Sequence, residues 1–304
     1  MKPSLFAQSG DIRIAIYCWG ERPTAEQPRP TVLLVHGYPD AAESWQLLAE
    51  RLASDCYVIA YDVRGAGRSS KPTGKPAYAL DNLLDDMAAV IDAASPTQAV
   101  HLVGHDWGSM QGWEAVMSKR LQGRIASYHA MTPAIDHMSL WFRQQLGSAS
   151  PRAWGKAARQ MFSAIHIALF QLPLLPELSW QLALGRQWPQ FLKRAEGITT
   201  EARATQTVDA CRGLGLYRAN ILPKALKPDP RQVNIPVQLL IPVEDRFMSA
   251  DIFDGIENWV PQLSRSRIHA GHWAQLSAPQ ALAEAIGGFI RQLQTTTAPQ
   301  ASKA

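Results

Sequence analysis

Gly104-His105-Asp106-Trp107-Gly108 is the segment whose residue types and spacing could do chemistry. It follows the apolar run AVHLVGH and leads into the helical pattern SMQGWEAVMSKR. That context reads as a strand, a tight turn and a helix. A residue flanked in this way sits on a strained elbow, because side chains on its neighbours would collide with the strand or the helix. The strain lifts the central side chain above the carboxyl edge of the sheet. Here that side chain is Asp106. A carboxylate is ionised at neutral pH but is a weak nucleophile. It suits displacement at a saturated carbon with a strained or good leaving group, so epoxides and alkyl halides fit. Esters and amides fit poorly, since attack would give an anhydride.

Displacement would leave an ester on Asp106, and its hydrolysis needs a general base and an oxyanion hole. His272, in Ala-Gly-His-Trp, is the candidate base. Such a histidine needs an acid to fix its tautomer and steady its charged form. Asp245, just past the run VQLLIPV, sits where that acid belongs, and the adjacent Glu244 is the alternative. The expected oxyanion donors are the backbone N–H groups of Trp107 and of Tyr38, the latter in the loop His36-Gly37-Tyr38-Pro39. Gly37 permits a turn there and Pro39 fixes the following bend. His36 reads as a structural histidine that hydrogen-bonds the loop.

The surrounding pattern is what must position these groups. TVLLVHG, CYVIAYDVRG and AVHLVGH are continuous apolar runs that read as buried strands. They alternate with the helical patterns AAESWQLLAERLA, ALDNLLDDMAAVIDAA and SMQGWEAVMSKR, which predicts parallel strands with helices on both sheet faces. Residues 11–18 alternate apolar and polar, as a half-exposed strand does. The rhythm breaks after IASYHAMTP. Residues 134–228 hold helical runs rich in Trp, Leu and Arg, with twelve Lys/Arg against five Asp/Glu. The predicted organisation is a first core segment (1–133), an inserted helical subdomain (134–228) and a second core segment (229–304). The last contains the strand VQLLIPV, the short helix FDGIENWV, the strand SRSRIHAG, the helix ALAEAIGGFIRQL and a disordered tail, TTTAPQASKA. The basic balance of 134–228 reads as a solvated helix surface, the alternative being a face for anionic substrates or a membrane.

Composition narrows the class. The chain has 304 residues, 46% hydrophobic and 18% charged, which excludes collagen, coiled coil and a disordered polymer. Cys18, Cys56 and Cys211 form no CxxC, zinc spacing or disulfide framework, so a reducing, cytoplasmic setting is expected. The first twenty residues lack a basic-then-apolar signal pattern, and no apolar stretch of about 18 residues predicts a membrane span. No basic stripe with a nucleic-acid motif, no metal cluster and no P-loop appears. Gly65-Ala66-Gly67 lacks the third glycine of a dinucleotide fingerprint. No cofactor, nucleic-acid partner or integral membrane segment is therefore expected.

HGYPD, DVRGAGRSS, GHDWGS, VEDRFMSA and AGHWAQLSAP together resemble the epoxide hydrolase branch of the α/β-hydrolase superfamily, over nearly the whole chain. The resemblance implies an α/β-hydrolase fold: a mostly parallel central sheet, helices on both faces, and 134–228 as a helical cap. Nucleophile, acid and histidine follow in that superfamily's order. The implied function is a hydrolase that opens a small hydrophobic epoxide to a vicinal diol through an Asp106 ester, hydrolysed by water that His272 activates. Asp62, Arg64, Gly65 and Gly67 match the family's D-x-R-G-x-G-x-S turn, a structural loop beside the site. Two cap tyrosines in such proteins donate to the epoxide oxygen. Leu216-Tyr217-Arg218-Ala219-Asn220 supplies one, Tyr217. In the stretch from Ser163 to Pro173, His166 stands where the other is expected, as in a minor subgroup with a His–Tyr pair. Tyr217, His166 and Trp107 are thus the implied substrate contacts. A donating His166 would bring a pH dependence near neutrality. Trp141, Phe142, Trp154, Phe162, Phe170, Trp180, Trp188 and Phe191 offer an apolar roof, none with an individual role. Fusion to a short-chain dehydrogenase occurs among relatives; this chain, ending soon after its last helix, is expected to be the hydrolase alone.

Three other readings remain. A haloalkane dehalogenase would share the nucleophile, base and acid, but it often carries Asn where Tyr38 stands and does not require Tyr217. A non-catalytic binding homologue would keep the site without turnover. An ester hydrolase is the third.

Overall fold

The computed structural model describes residues 1–297. Along the chain run β1 (Leu5–Ser9), β2 (Ile12–Trp19), β3 (Thr31–Val35), α1 (Gln46–Leu52), β4 (Tyr57–Tyr61), α2 (Leu80–Ala94), β5 (Val100–Gly104), α3 (Trp107–Met117) and β6 (Ile125–Ala130). Six helices follow: α4 (Ile135–Gly147), α5 (Pro151–Ser163), α6 (Ile165–Leu169), α7 (Leu175–Ser179), α8 (Gly185–Glu196) and α9 (Gln206–Leu226). The chain then returns to the sheet with β7 (Val237–Pro242) and β8 (Leu263–Ile268), and closes with α10 (Ala274–Ser277) and α11 (Pro279–Thr297).

The eight strands form one sheet in the order β1-β2-β4-β3-β5-β6-β7-β8. From β4 through β8 every pairing is parallel, while β1–β2 and β2–β4 are antiparallel. The inner strands β3, β4, β5 and β7 are buried along their whole length and largely apolar because both faces are covered, whereas the edge strand β8 alternates serine and arginine. On β3, Val32 and Leu34 pack with Leu48 of α1 and with Leu282 and Ile286 of α11. Leu33 and Val35 point the other way, into the core with Leu83 and Met87 of α2 and Met110 of α3. This period-two division is what a buried strand between two helical layers must show.

Two local expectations need correction. β1 has no counterpart in the sequence reading, and β2 is not half-exposed. Ile14, Ala15, Ile16 and Tyr17 are all buried, because β2 lies between β1 and β4 rather than at an edge, and Tyr17 buries its hydroxyl against Asp62 Oδ2 at 2.8 Å. Of the tail expected to be disordered, residues 295–297 end α11 and residues 298–304 lie outside the described residues.

Candidate active site

The elbow after β5 carries the strain that its glycines announce. Asp106 has φ 49° and ψ −118°, a conformation that few non-glycine residues adopt. A Cβ at Gly104 would come within 2.6 Å of the Gly108 carbonyl, and one at Gly108 would overlap the Val35 carbonyl. Only hydrogen at both positions lets the turn nest against β3. Asp106 Oδ2 then accepts the Tyr38 N–H at 2.8 Å, and the Trp107 N–H also points at the carboxylate. Burial raises the Asp106 carboxyl above its ordinary range, against the pull of His272 and these two donors.

The Tyr38 donor is held by its own peptide. The Gly37 carbonyl accepts the Asp40 N–H at 3.0 Å and His36 Nδ1–H at 2.8 Å. His36 Nε2 accepts the Val63 N–H at 2.9 Å, which puts the ring hydrogen on Nδ1. With the carbonyl anchored on one side, the N–H of the same trans peptide faces Asp106. The Tyr38–Pro39 bond is cis. Asp62 is a brace, bonded to the Ala42 and Arg68 N–H groups and to Tyr17. Arg64 forms a buried pair with Asp86.

His272 lies on the loop after β8. Its Nδ1 is 2.8 Å from Asp245 Oδ2, and the other oxygen of Asp245 accepts the N–H groups of Phe247 and Met248. Glu244 is exposed and takes no part in this contact. Burial disfavours a charge on His272, but the carboxylates of Asp245, Asp106 and Glu196 outweigh it and raise its pKa to about 9. His105, inside the elbow, accepts from Gln275 at Nδ1 and so donates Nε2–H to the His272 carbonyl at 2.9 Å. Sequence reasoning passed over His105. It also passed over Gln160 of α5, which binds the Phe247 carbonyl and the Ser249 N–H and so holds the loop bearing Asp245.

Asp106 and His272 border a cavity of about 340 Å³, roofed by the inserted helices and lined with Phe170, Trp180, Trp188, Phe247 and Trp273. Tyr217 of α9 and His166 of α6 face it too, their ring centroids 6.4 Å apart. Burial and the nearby Asp106 hold the Tyr217 phenol well above its ordinary pKa, so it keeps its proton. Next to it, Arg218 ties α9 to Glu177 and to the Phe170 carbonyl, and Asn220 ties it to Leu80 and Tyr78 of the core. Burial pushes His166 down to about 4, below the near-neutral range expected of it. The Trp107 ring does not border the cavity. It is fully buried with the Tyr217 ring 5.0 Å away, and its indole acts on the Tyr217 hydroxyl from behind the cavity wall. Of the aromatic roof, Phe170, Trp180, Trp188 and Phe191 line the cavity, whereas Trp154 and Phe162 are exposed.

Comparison with known proteins follows the same lines. Probable oxidoreductase EphD of Mycobacterium tuberculosis is 32% identical over 287 residues, spanning 91% of this chain and 48% of that protein. The chain thus covers about half the length of these mycobacterial relatives. Epoxide hydrolase 3 of Xenopus tropicalis is 25% identical, covering 88% of this chain and 73% of that one. The crystal structure of an epoxide hydrolase from Bacillus megaterium with an inhibitor superposes with a TM-score of 0.75 at 22% identity, over 94% of this chain and all of that one. The family described as the alpha/beta hydrolase fold matches residues 30–279. Because that match runs unbroken from the start of β3 past the elbow, Asp245 and His272, the chain belongs to the alpha/beta hydrolase fold family.

Proposed function

We propose that this protein hydrolyses an apolar epoxide to a vicinal diol through an ester on Asp106. The observation that carries the reading is the cavity itself: an ionisable carboxylate on a strained elbow faces a protonated phenol, Tyr217, across an apolar chamber. Asp106 attacks one ring carbon, and a new C–O bond forms as the ring C–O bond breaks. The departing oxygen takes its hydrogen from Tyr217. His166 stands beside that donor. A neutral imidazole has one N–H, and the Ser163 carbonyl competes for it. The contribution of His166 therefore depends on which ring nitrogen bears the hydrogen.

Esterification removes the negative charge of Asp106. One of the influences that keep His272 protonated is then gone, and its proton passes to the Tyr217 oxygen. Neutral His272, held by Asp245, takes a proton from water as that water attacks the ester carbonyl carbon. The N–H groups of Tyr38 and Trp107 hold the oxyanion. Its collapse frees the diol and restores the Asp106 carboxylate. The epoxide hydrolase names among the relatives support this chemistry.

Alkyl-halide displacement would use the same nucleophile, but a halide leaves without a proton and the Trp107 indole does not border the cavity. The test is incubation with a styrene-oxide-like epoxide. Diol formation, and a mass increase on the Asp106 peptide in quenched samples, are expected. Asp106→Asn should abolish turnover. Halide release from a haloalkane with no diol formed from the epoxide, or nitrophenyl-ester hydrolysis that survives Asp106→Asn, would overturn the reading.

A further inference from the structure

The stretch from α5 to α8 exposes several large apolar side chains. Phe162 is 79% exposed, Leu174 72% and Leu182 77%, with Ile165, Leu172 and Leu178 also exposed. Large apolar patches mark sites of contact. Two backbone irregularities occur in this stretch. Leu174 has φ 65°, a region that bulky side chains avoid. Trp180–Leu184 forms a π-helical turn, with Trp180 buried against the cavity and Leu182 outside.

The same stretch carries uncompensated positive charge. Arg152, Arg186, Lys193 and Arg194 are exposed and have no ion pair among the described residues, whereas Lys156 and Arg159 share the one carboxylate of Asp251. The apolar surface is also continuous with the cavity, since Leu169, Leu184 and Phe191 are at once exposed and part of its lining.

We infer that this face docks on an anionic lipid surface, with Phe162, Leu174 and Leu182 among the acyl chains and the free cations against the headgroups. Apolar substrate would then pass from lipid to Asp106 by the mouth at Leu169, Leu184 and Phe191. No helix among the described residues is long and apolar enough to cross a membrane, so the contact is interfacial. A second copy of this chain could bury the leucines, but it would set like charges against each other, whereas an anionic surface complements them. The substrate route rests on the proposed reaction; the docking does not.

Co-sedimentation of the full chain with vesicles tests this in the absence of any epoxide. Phosphatidylcholine–phosphatidylserine vesicles should bind about tenfold or more tightly than phosphatidylcholine alone, and added salt should weaken the binding. The triple variant F162E/L174E/L182E should lose about tenfold in binding, with thermal stability and diol formation from a water-soluble epoxide retained. The variant R186Q/K193Q/R194Q should remove the preference for anionic vesicles. Absence of vesicle binding by the unaltered protein, or binding indifferent to both variants, would refute the docking. So would a dimer by light scattering that the leucine-face variant dissolves. Vesicle binding without diol formation would instead refute the reaction and leave the docking standing.

Discussion

His272 Nδ1 stands 2.8 Å from Asp245 Oδ2, while the other Asp245 oxygen is held by two backbone N–H groups of its own loop. Asp245 is thus held by its own loop before it orients His272. Asp245→Asn keeps the shape but loses the charge and the forced tautomer. The ester-hydrolysis step should slow by about 10⁴-fold, with ester formation little changed. Rapid-quench mass spectrometry should find the Asp106 peptide accumulating as its ester. Equal slowing of both steps would contradict the assignment.

His272→Gln removes the proposed base. A single burst of ester, close to one per active site, should form and persist, because only the second step needs proton abstraction. Single-turnover measurement of diol release is the check.

The His272–Asp245 pair also predicts how stability varies with pH. The folded pKa of about 9 lies above the ordinary value of 6.5. The associated stabilisation is present in full below about pH 6.5 and is lost as pH rises through about 9. A shift of that size corresponds to about 3 kcal/mol. The melting-temperature difference between the native protein and His272→Gln should therefore shrink between about pH 6.5 and 9.5.

Tyr217→Phe should lower kcat/KM for epoxide by about 10²-fold or more, by removing the hydrogen that the leaving oxygen takes. His166→Phe should cost less. Since His166 titrates near 4, its replacement should leave the shape of the pH–rate profile unchanged between about pH 6 and 8.

Gly37 lies against Asp106. A Cβ there would be 2.5 Å from Asp106 Cβ and 2.7 Å from its Oδ2. Gly37→Ala should destabilise the fold by about 1–3 kcal/mol and suppress ester formation, measurable by urea denaturation and quenched mass spectrometry together.

Much of this arrangement was legible in residue order. Glycines flanking Asp106 between an apolar run and a helical pattern leave one backbone solution, and the alternation of runs requires parallel strands. β1 was missed because LFAQS is too short to show periodicity. The exposure of β2 was misread because a strand's place in a sheet depends on its partners. His105 and Gln160 were missed because their roles consist of bonds to backbone groups 87 or more positions away, and a single polar residue carries no local sign of such a bond.

By itself the sequence determined the fold class, the elbow and the carboxylate on it, since those follow from local sterics and from the identity of one residue. Tertiary structure alone decided that Asp245 rather than Glu244 meets His272, that the Trp107 ring lies behind the cavity wall against Tyr217, and that burial holds His166 below its ordinary pKa. Those outcomes depend on side-chain direction, burial and neighbours distant in sequence, which exist only once the sheet and the inserted helices have closed on each other.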